Sequence, residues 1–221
     1  GLGDTVRVSL TEAPEAELPV ARRLVDRYAN RPPENSSDQE PLTFDPYSYQ
    51  RRMSNQVLNI GDRCVPVVVN DLSASEVTEA KLFGCGYRYS VPLDKWHLDD
   101  FACDMVYVGE QPVSFELPGT LGVLQEAHAW QNRERHYPIW TLNEWESNHP
   151  SAVHFVRAKR TDLTLEKLLE LKEQASRVVV VLESHSQHAM ADLRAACMVL
   201  DRAQCRVPVI LRGSYDGLDS E

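Results

Sequence analysis

The sequence has no two cysteines at C-x-x-C spacing: its five, Cys64, Cys85, Cys103, Cys197 and Cys205, lie far apart or on a predicted helix. That excludes a zinc ribbon or a ferredoxin-type cluster motif, and the odd number argues against a disulfide framework, so buried free thiols are expected. No apolar run, that at residues 178–182 included, reaches membrane-spanning length, and no basic-then-apolar leader opens the chain. No membrane partner is expected, and the chain reads as cytoplasmic. Positive charge is scarce: 23 Lys and Arg against 33 Asp and Glu leave a net charge of −10, a field that repels phosphate backbones and makes nucleic acid an unexpected partner. A Gly-rich phosphate loop, G-x-S-x-G, H-E-x-x-H and a Cys/His dyad are all missing.

What the chain does have is a βα unit at its front. Residues 3–24 read GDTVRVSLTEAPEAELPVARRL, in which Val6, Val8 and Leu10 alternate with Arg7 and Ser9 as a strand requires. Thr11 is placed to cap a helix, Pro14 suits its first turn, and Glu12, Glu15 and Glu17 set negative charge at the positive end of the helix dipole. Leu18, Ala21, Leu24, Val25 and Tyr28 form one apolar stripe, with Arg22, Arg23, Asp26 and Arg27 on the wet side. A strand feeding a helix is one spoke of an α/β barrel.

From Asn30 to Arg63 the composition turns to Pro, Asn, Ser, Asp and Gln, which predicts a connector with one ordered patch around Tyr47, Tyr49, Arg51 and Arg52. Beyond it, β-branched runs alternate with helical segments, the pattern of a parallel sheet covered on both faces. Strands are predicted at 65–69, 105–108, 112–118, 137–142, 153–158, 177–183 and 207–211. Helices are predicted at 75–83, 93–102, 119–133, 164–171 and 186–200. Six or seven strands are fewer than the eight that close a barrel. The expected fold class is α/β and TIM-barrel-like: an incomplete barrel of parallel strands with helices outside, its missing end supplied by other parts of the polypeptide. The expected domain boundaries are 1–30 for the leading βα unit, 31–63 for the connector and 64–221 for the truncated barrel-like domain.

Barrel chemistry sits at the carboxyl ends of strands, which singles out Thr11-Glu12, Asn70-Asp71 and Glu183-Ser184-His185. Glu183, His185 and His188 make E-x-H-x-x-H, a spacing able to bring two imidazoles and a carboxylate to one metal; a loop-to-helix segment without metal is the simpler account, since no Cys or third His is near in sequence. Asn70 and Asp71 before Ser73 make a good turn and cap. Trp96, Trp130, Trp140 and Trp145, with His128, His136, His149 and His154, share no period, so they are expected to pack layers and loops.

The opening GDTVRVSLTEAPEAE followed by ARRL resembles the last barrel spoke of the 4-hydroxy-3-methylbut-2-enyl diphosphate synthase family. The likeness is to its long form, found in plastids and some bacteria, which carries a large insertion between barrel and iron–sulfur domain. Phe44-Asp45-Pro46-Tyr47-Ser48-Tyr49-Gln50-Arg51-Arg52 resembles the family's Phe-Asp-…-Gln-Arg-Arg segment at the start of that insertion, and residues 67–72 resemble the strand that follows. The resemblance implies that residues 1–30 are the last βα unit of the catalytic barrel and 64–221 the central insertion domain. It implies a parent enzyme that reductively converts 2-C-methyl-D-erythritol 2,4-cyclodiphosphate to 4-hydroxy-3-methylbut-2-enyl diphosphate in the non-mevalonate (MEP) route of isoprenoid biosynthesis. Such an enzyme holds a [4Fe–4S] cluster with three cysteines of a separate domain and takes electrons from ferredoxin or flavodoxin. A parental homodimer is implied too, with the remaining domains of the same polypeptide as partners and the insertion as a spacer setting their reach. Glu12 then lies on the substrate side of the full enzyme's barrel, whereas in this chain alone it is expected only to stabilise the helix dipole. By itself the chain is expected to hold no cofactor and to be inactive. The alternative is an independent small-molecule or metal-binding α/β module with a site near Glu183 and His185.

Overall fold

The chain divides into two compact units, Gly1–Leu42 and Thr43–Glu221; the division falls inside the stretch predicted as connector. A computed structural model describes residues 5–9, 11–29, 45, 47–186 and 189–213. In the first unit Pro14 opens a 3-10 turn, Pro14–Ala16, that runs into helix α1, Glu17–Ala29. Proline is tolerated there because the first N–H groups of a helix have no intrahelical acceptor. Glu15 and Glu17 fall in the first turns, but the cap position is Ala13, with no side-chain bond, so Thr11 does not fill it. Residues 5–9 have no strand structure. Alternation prepares a segment for two faces, but a strand exists only where a neighbour completes its ladder.

The second unit carries nine strands: β1 (Val69–Asp71), β2 (Tyr87–Ser90), β3 (Lys95–Leu98), β4 (Met105–Tyr107), β5 (Gly122–Glu126), β6 (His136–Thr141), β7 (His154–Ala158), β8 (Val178–Glu183) and β9 (Val209–Arg212) among the described residues. Seven pair in parallel, in the order β1-β4-β5-β6-β7-β8-β9, and β2 and β3 form a separate antiparallel hairpin. The sheet curls on itself: Arg212 on β9 bonds Asp71 on β1 at 2.9 Å although these are its two edge strands. This is the expected incomplete α/β barrel.

Met105, Leu124, Ile139, Phe155, Val179 and Val181 fill the interior. Its amino end is stoppered by residues 52–64, where Val57 and Ile60 bridge to each other across a tight turn and bury among those side chains. Gly61 makes the stopper possible: it sits at φ 90°, and a Cβ there would lie 2.2 Å from the Asn55 carbonyl oxygen. Arg52 then clamps the stopper by donating to the Asp201 carboxylate at 2.8 Å, to the Val207 carbonyl at 2.7 Å and to the Cys205 carbonyl. The later part of the predicted connector is thus built into the barrel unit; residues 30–44 and 46 lie outside the described residues.

Two helices, α2 (Leu165–Glu173) and α3 (Ala189–Arg202), cover β7, β8 and β9. Leu168, Leu171, Leu193, Ala196 and Leu200 bury against Val156, Val178, Val180 and Leu182, each large side chain contributing roughly 1.5–3 kcal/mol. Thr164 caps α2, accepting from the Lys167 N–H at 3.4 Å. Elsewhere the predicted helices give way. Residues 93–102 contain β3, whose Trp96 and Leu98 pair with Tyr89 and Tyr87; Asp94, at φ 47°, turns the hairpin. Residues 119–133 contain β5, in which Gly122, Val123, Leu124 and Gln125 are all buried; burial on both faces suits a central parallel strand, not an amphipathic helix. The helix predicted at 75–83 is a 3-10 segment, Glu79–Cys85, ended by Gly86 at φ 84°, and 112–118 makes no strand. The parallel sheet has seven strands, within the expected six or seven, because β5 forms where a helix is predicted and 112–118 forms none.

Candidate functional site

At the carboxyl ends of the strands six polar side chains meet inside the barrel. Tyr107 on β4 donates its hydroxyl hydrogen to Glu126 on β5, and Arg157 on β7 donates to the Tyr107 oxygen at 3.2 Å and to Glu126 at 2.9 Å. Arg212 on β9 donates to Glu183 on β8 at 3.3 Å and to Asp71 on β1 at 2.9 Å. Both guanidinium groups also stand over the Tyr107 ring, at 5.9 and 5.5 Å from its centroid. Three carboxylates therefore face two guanidiniums and a phenol, and every one of them is engaged.

Burial, and then the bond to Glu126, push the Tyr107 phenol up to about 12, so it stays a protonated donor. At Asp71 burial opposes ionisation, but the Ser73 hydroxyl and N–H and the Arg212 charge outweigh it and hold the carboxyl below its ordinary range. Beside the ring lies a cavity of 320 Å³, walled by Val67, Val69, Leu124, Ile139, Val181 and Ile210 and touched by Asp71, Arg157 and Arg212. Its walls are mostly aliphatic, and its polar groups are spent on one another. Such an arrangement can hold the mouth closed; it presents no free base or activated nucleophile.

Of the strand-end candidates, Asp71 and Glu183 belong to this ring. His185 is exposed beside it, His188 lies outside the described residues, and Glu12 is exposed in the other unit. Ser184 instead donates to Asp192 on α3 at 2.7 Å. Among the described residues no three His, Cys, Asp or Glu side chains converge as metal ligands. Among the described residues no three of the five cysteines converge: Cys85 and Cys103 neighbour each other, Cys64 and Cys197 are half-buried elsewhere and Cys205 is buried. Sequence reasoning missed Tyr107, Glu126, Arg157 and Arg212. The local trace of the two arginines is a charged residue at or next to the carboxyl end of a strand, as in HFVRA and VILR, which a solvent-facing arginine would leave as well.

Five of the tryptophans and histidines expected to pack layers and loops do so together, although no sequence period joins them. Trp130, Trp140, Trp145, His149 and His154 stack together outside β6 and β7, with ring centroids 4.9–6.0 Å apart. His154 is fully buried; its Nδ1 accepts from the Trp145 indole at 2.9 Å, and Nε2 faces both the Ser151 carbonyl at 3.0 Å and the Arg177 guanidinium at 2.6 Å. Burial first, and the Arg177 charge second, hold its pKa down at about 4. Trp96 and His128 have no ring contact with this packed cluster, and His136 meets it through its carbonyl, which accepts from the Trp130 indole at 3.0 Å.

The protein at 35% identity from Parabacteroides distasonis aligns over the whole chain and is named 4-hydroxy-3-methylbut-2-en-1-yl diphosphate synthase (flavodoxin); the chain covers 33% of its length. Proteins of that name from Bacteroides fragilis (30% identity over 97% of the chain, 32% of the relative) and Porphyromonas gingivalis (27% over 100%, 30% of the relative) agree. The chain is related to one third of this synthase. The similarity reaches well past the two anchors at its front, and it extends across the curled sheet and its polar mouth. The chain spans about a third of the length of the curated synthases it matches. No family model matches, and no solved structure matches. No helix among the described residues of this synthase relative is long and apolar enough to cross a membrane.

Proposed function

We propose that this chain is the central, non-catalytic spacer domain of a long-form 4-hydroxy-3-methylbut-2-en-1-yl diphosphate synthase, preceded by the last βα unit of the catalytic barrel. The parent would reductively open 2-C-methyl-D-erythritol 2,4-cyclodiphosphate with a [4Fe–4S] cluster carried elsewhere in the polypeptide. Such a cluster would relay electrons from an external donor for that step, while this chain's residues set distances between the other domains. Flavodoxin as donor is supported by the relatives' names. A homodimeric parent and a cytoplasmic setting are part of the same reading.

The observation that carries the reading is the self-paired mouth. Where a catalytic barrel keeps unpaired acids and bases, Asp71, Glu126 and Glu183 are matched here by Arg157 and Arg212. The test is growth of a synthase-deficient strain on the full-length parent gene carrying Glu183→Gln, His185→Ala and His188→Ala together. Growth equal to the unaltered gene supports the spacer. Lost growth with a folded, cluster-loaded protein would move the site to Glu183 and His185 and make the domain a binding module.

A further inference from the structure

The hairpin β2–β3 projects from the connection between β1 and β4, and its two faces differ. Register pairs Tyr87 with Leu98 and Tyr89 with Trp96 on one face, and Arg88 with His97 and Ser90 with Lys95 on the other. Tyr87 anchors the first face in the core, while Tyr89, Trp96 and Leu98 open onto a groove of 450 Å³ whose far wall is residues 117–120. The two rings stack at 5.2 Å and 56°, an aromatic wall in an otherwise wet part of the molecule. The Trp96 indole donates to the Glu116 carbonyl at 3.2 Å, which holds the ring in place. Glu79, Asp94 and Glu116 stand on the rim, and no ion pair engages them among the described residues. Lys95 also borders the groove, but its register position turns it to the opposite face. The Tyr89 phenol is raised by its bond to Asp94 and, further, by the charges of Glu79 and Glu116, so the three carboxylates act on one spot.

We propose that this groove docks a basic protein segment, seating an arginine or lysine side chain against the Tyr89–Trp96 wall with its charge among Glu79, Asp94 and Glu116. Charge complementarity selects the occupant: aromatic faces attract cations, and three carboxylates with no cationic partner among the described residues reject an acidic or purely apolar segment. The β2–β3 arm would then be the domain's contact with a basic surface. This goes beyond the spacer reading and stands without it.

The test is a two-dimensional NMR titration of the 221-residue protein with a capped tri-arginine peptide. A saturable shift of the Trp96 indole N–H is expected. The double variant Asp94→Asn, Glu116→Gln should weaken binding roughly tenfold, since Asn keeps the left-handed turn while the charge is lost. Asp99→Asn with Asp100→Asn removes the same charge from the same hairpin outside the groove and should leave binding within about twofold. Equal weakening by the two doubles would mean that the peptide senses only the net negative field, and a titration without saturation at Trp96 would mean that the groove holds nothing; either overturns the proposal. Should the first double disturb the fold, Glu79→Gln alone decides by the same comparison.

Discussion

The two sides of the curled sheet are clad by different means. Around β7, β8 and β9, helices α2 and α3 lay aliphatic side chains on the strands, and the burial of Leu168, Leu171, Leu193 and Leu200 holds them. Around β4, β5 and β6 the connections 108–121, 127–135 and 142–153 contain no helix, and side chains stitch the loops down. Gln111 accepts from the Val77 N–H at 3.1 Å and donates to the Ser73 and Ser75 carbonyls; buried Gln125 donates to the Gln111 carbonyl and accepts from the Gln131 N–H. Arg133 donates to the Val113 carbonyl at 2.7 Å, and Arg135 to the Thr120 carbonyl. The difference follows from backbone accounting. A helix satisfies its own N–H and C=O groups and needs only an apolar stripe, whereas a loop laid on a sheet must borrow partners from side chains.

The comparison is tested hardest at Trp145. If the aromatic cluster replaces a helix, Trp145→Ala should cost about 4 kcal/mol in denaturant unfolding, because a large cavity opens and the buried His154 Nδ1 loses its donor. A cost below that of truncating exposed Leu165 on α2 would show that the loop-clad side is not held by its aromatics. Arg157→Ala should come next at about 3 kcal/mol, since its side chain and that of Glu126 are only 18% and 14% exposed and the carboxylate would be stranded. The same measurement on Arg157→Met with Glu126→Leu should recover most of the loss; failure to recover would mean that the pair itself, and not its stranding, matters.

Acid should attack the loop-clad side first. His154 titrates at about 4 in the fold against 6.5 ordinarily, so the unfolded chain binds the additional proton between those values. Stability is therefore full above pH 6.5 and declines as pH falls toward 4, by about 2–3 kcal/mol from this group, with His136 shifted in the same direction. Urea midpoints of the unaltered protein and His154→Asn at several pH values check this; a decline of equal steepness in both would assign the acid sensitivity elsewhere. The smallest effect belongs to the edge strands. Asp71→Asn should cost less than about 1 kcal/mol, because the Asp71–Arg212 pair is 45% and 40% exposed. A larger loss in thermal unfolding would mean that this pair, and not the interior packing, keeps the sheet curled.

How far the sequence could be read tracks the same division. The elements from 153 onward were legible, because α2 and α3 carry helical stripes and β8 is an unbroken apolar run; period alone identifies such segments. From 75 to 133 the reading failed in four places: the 3-10 segment at 79–85, the hairpin, the strandless 112–118 and β5. Leu121, Leu124 and the residues around them fit a helical stripe as well as a strand buried on both faces, and only the neighbouring strands decide between the two. Asp71 and Glu183 were legible as strand-end residues, while Arg157 and Arg212 were not, since nothing local distinguishes an inward arginine from a wet one.

The sequence by itself determined the class of fold, the helix starts at Pro14 and Thr164 and the kinship with the synthases, all of which rest on local patterns along the chain. Tertiary structure alone decided that 52–64 would stopper the barrel, that three tryptophans and two histidines would take the place of a helix, and that Arg157 and Arg212 would neutralise the strand-end carboxylates. Each of these joins residues far apart in the chain, and a contact across the interior leaves no period in the sequence from which to read it.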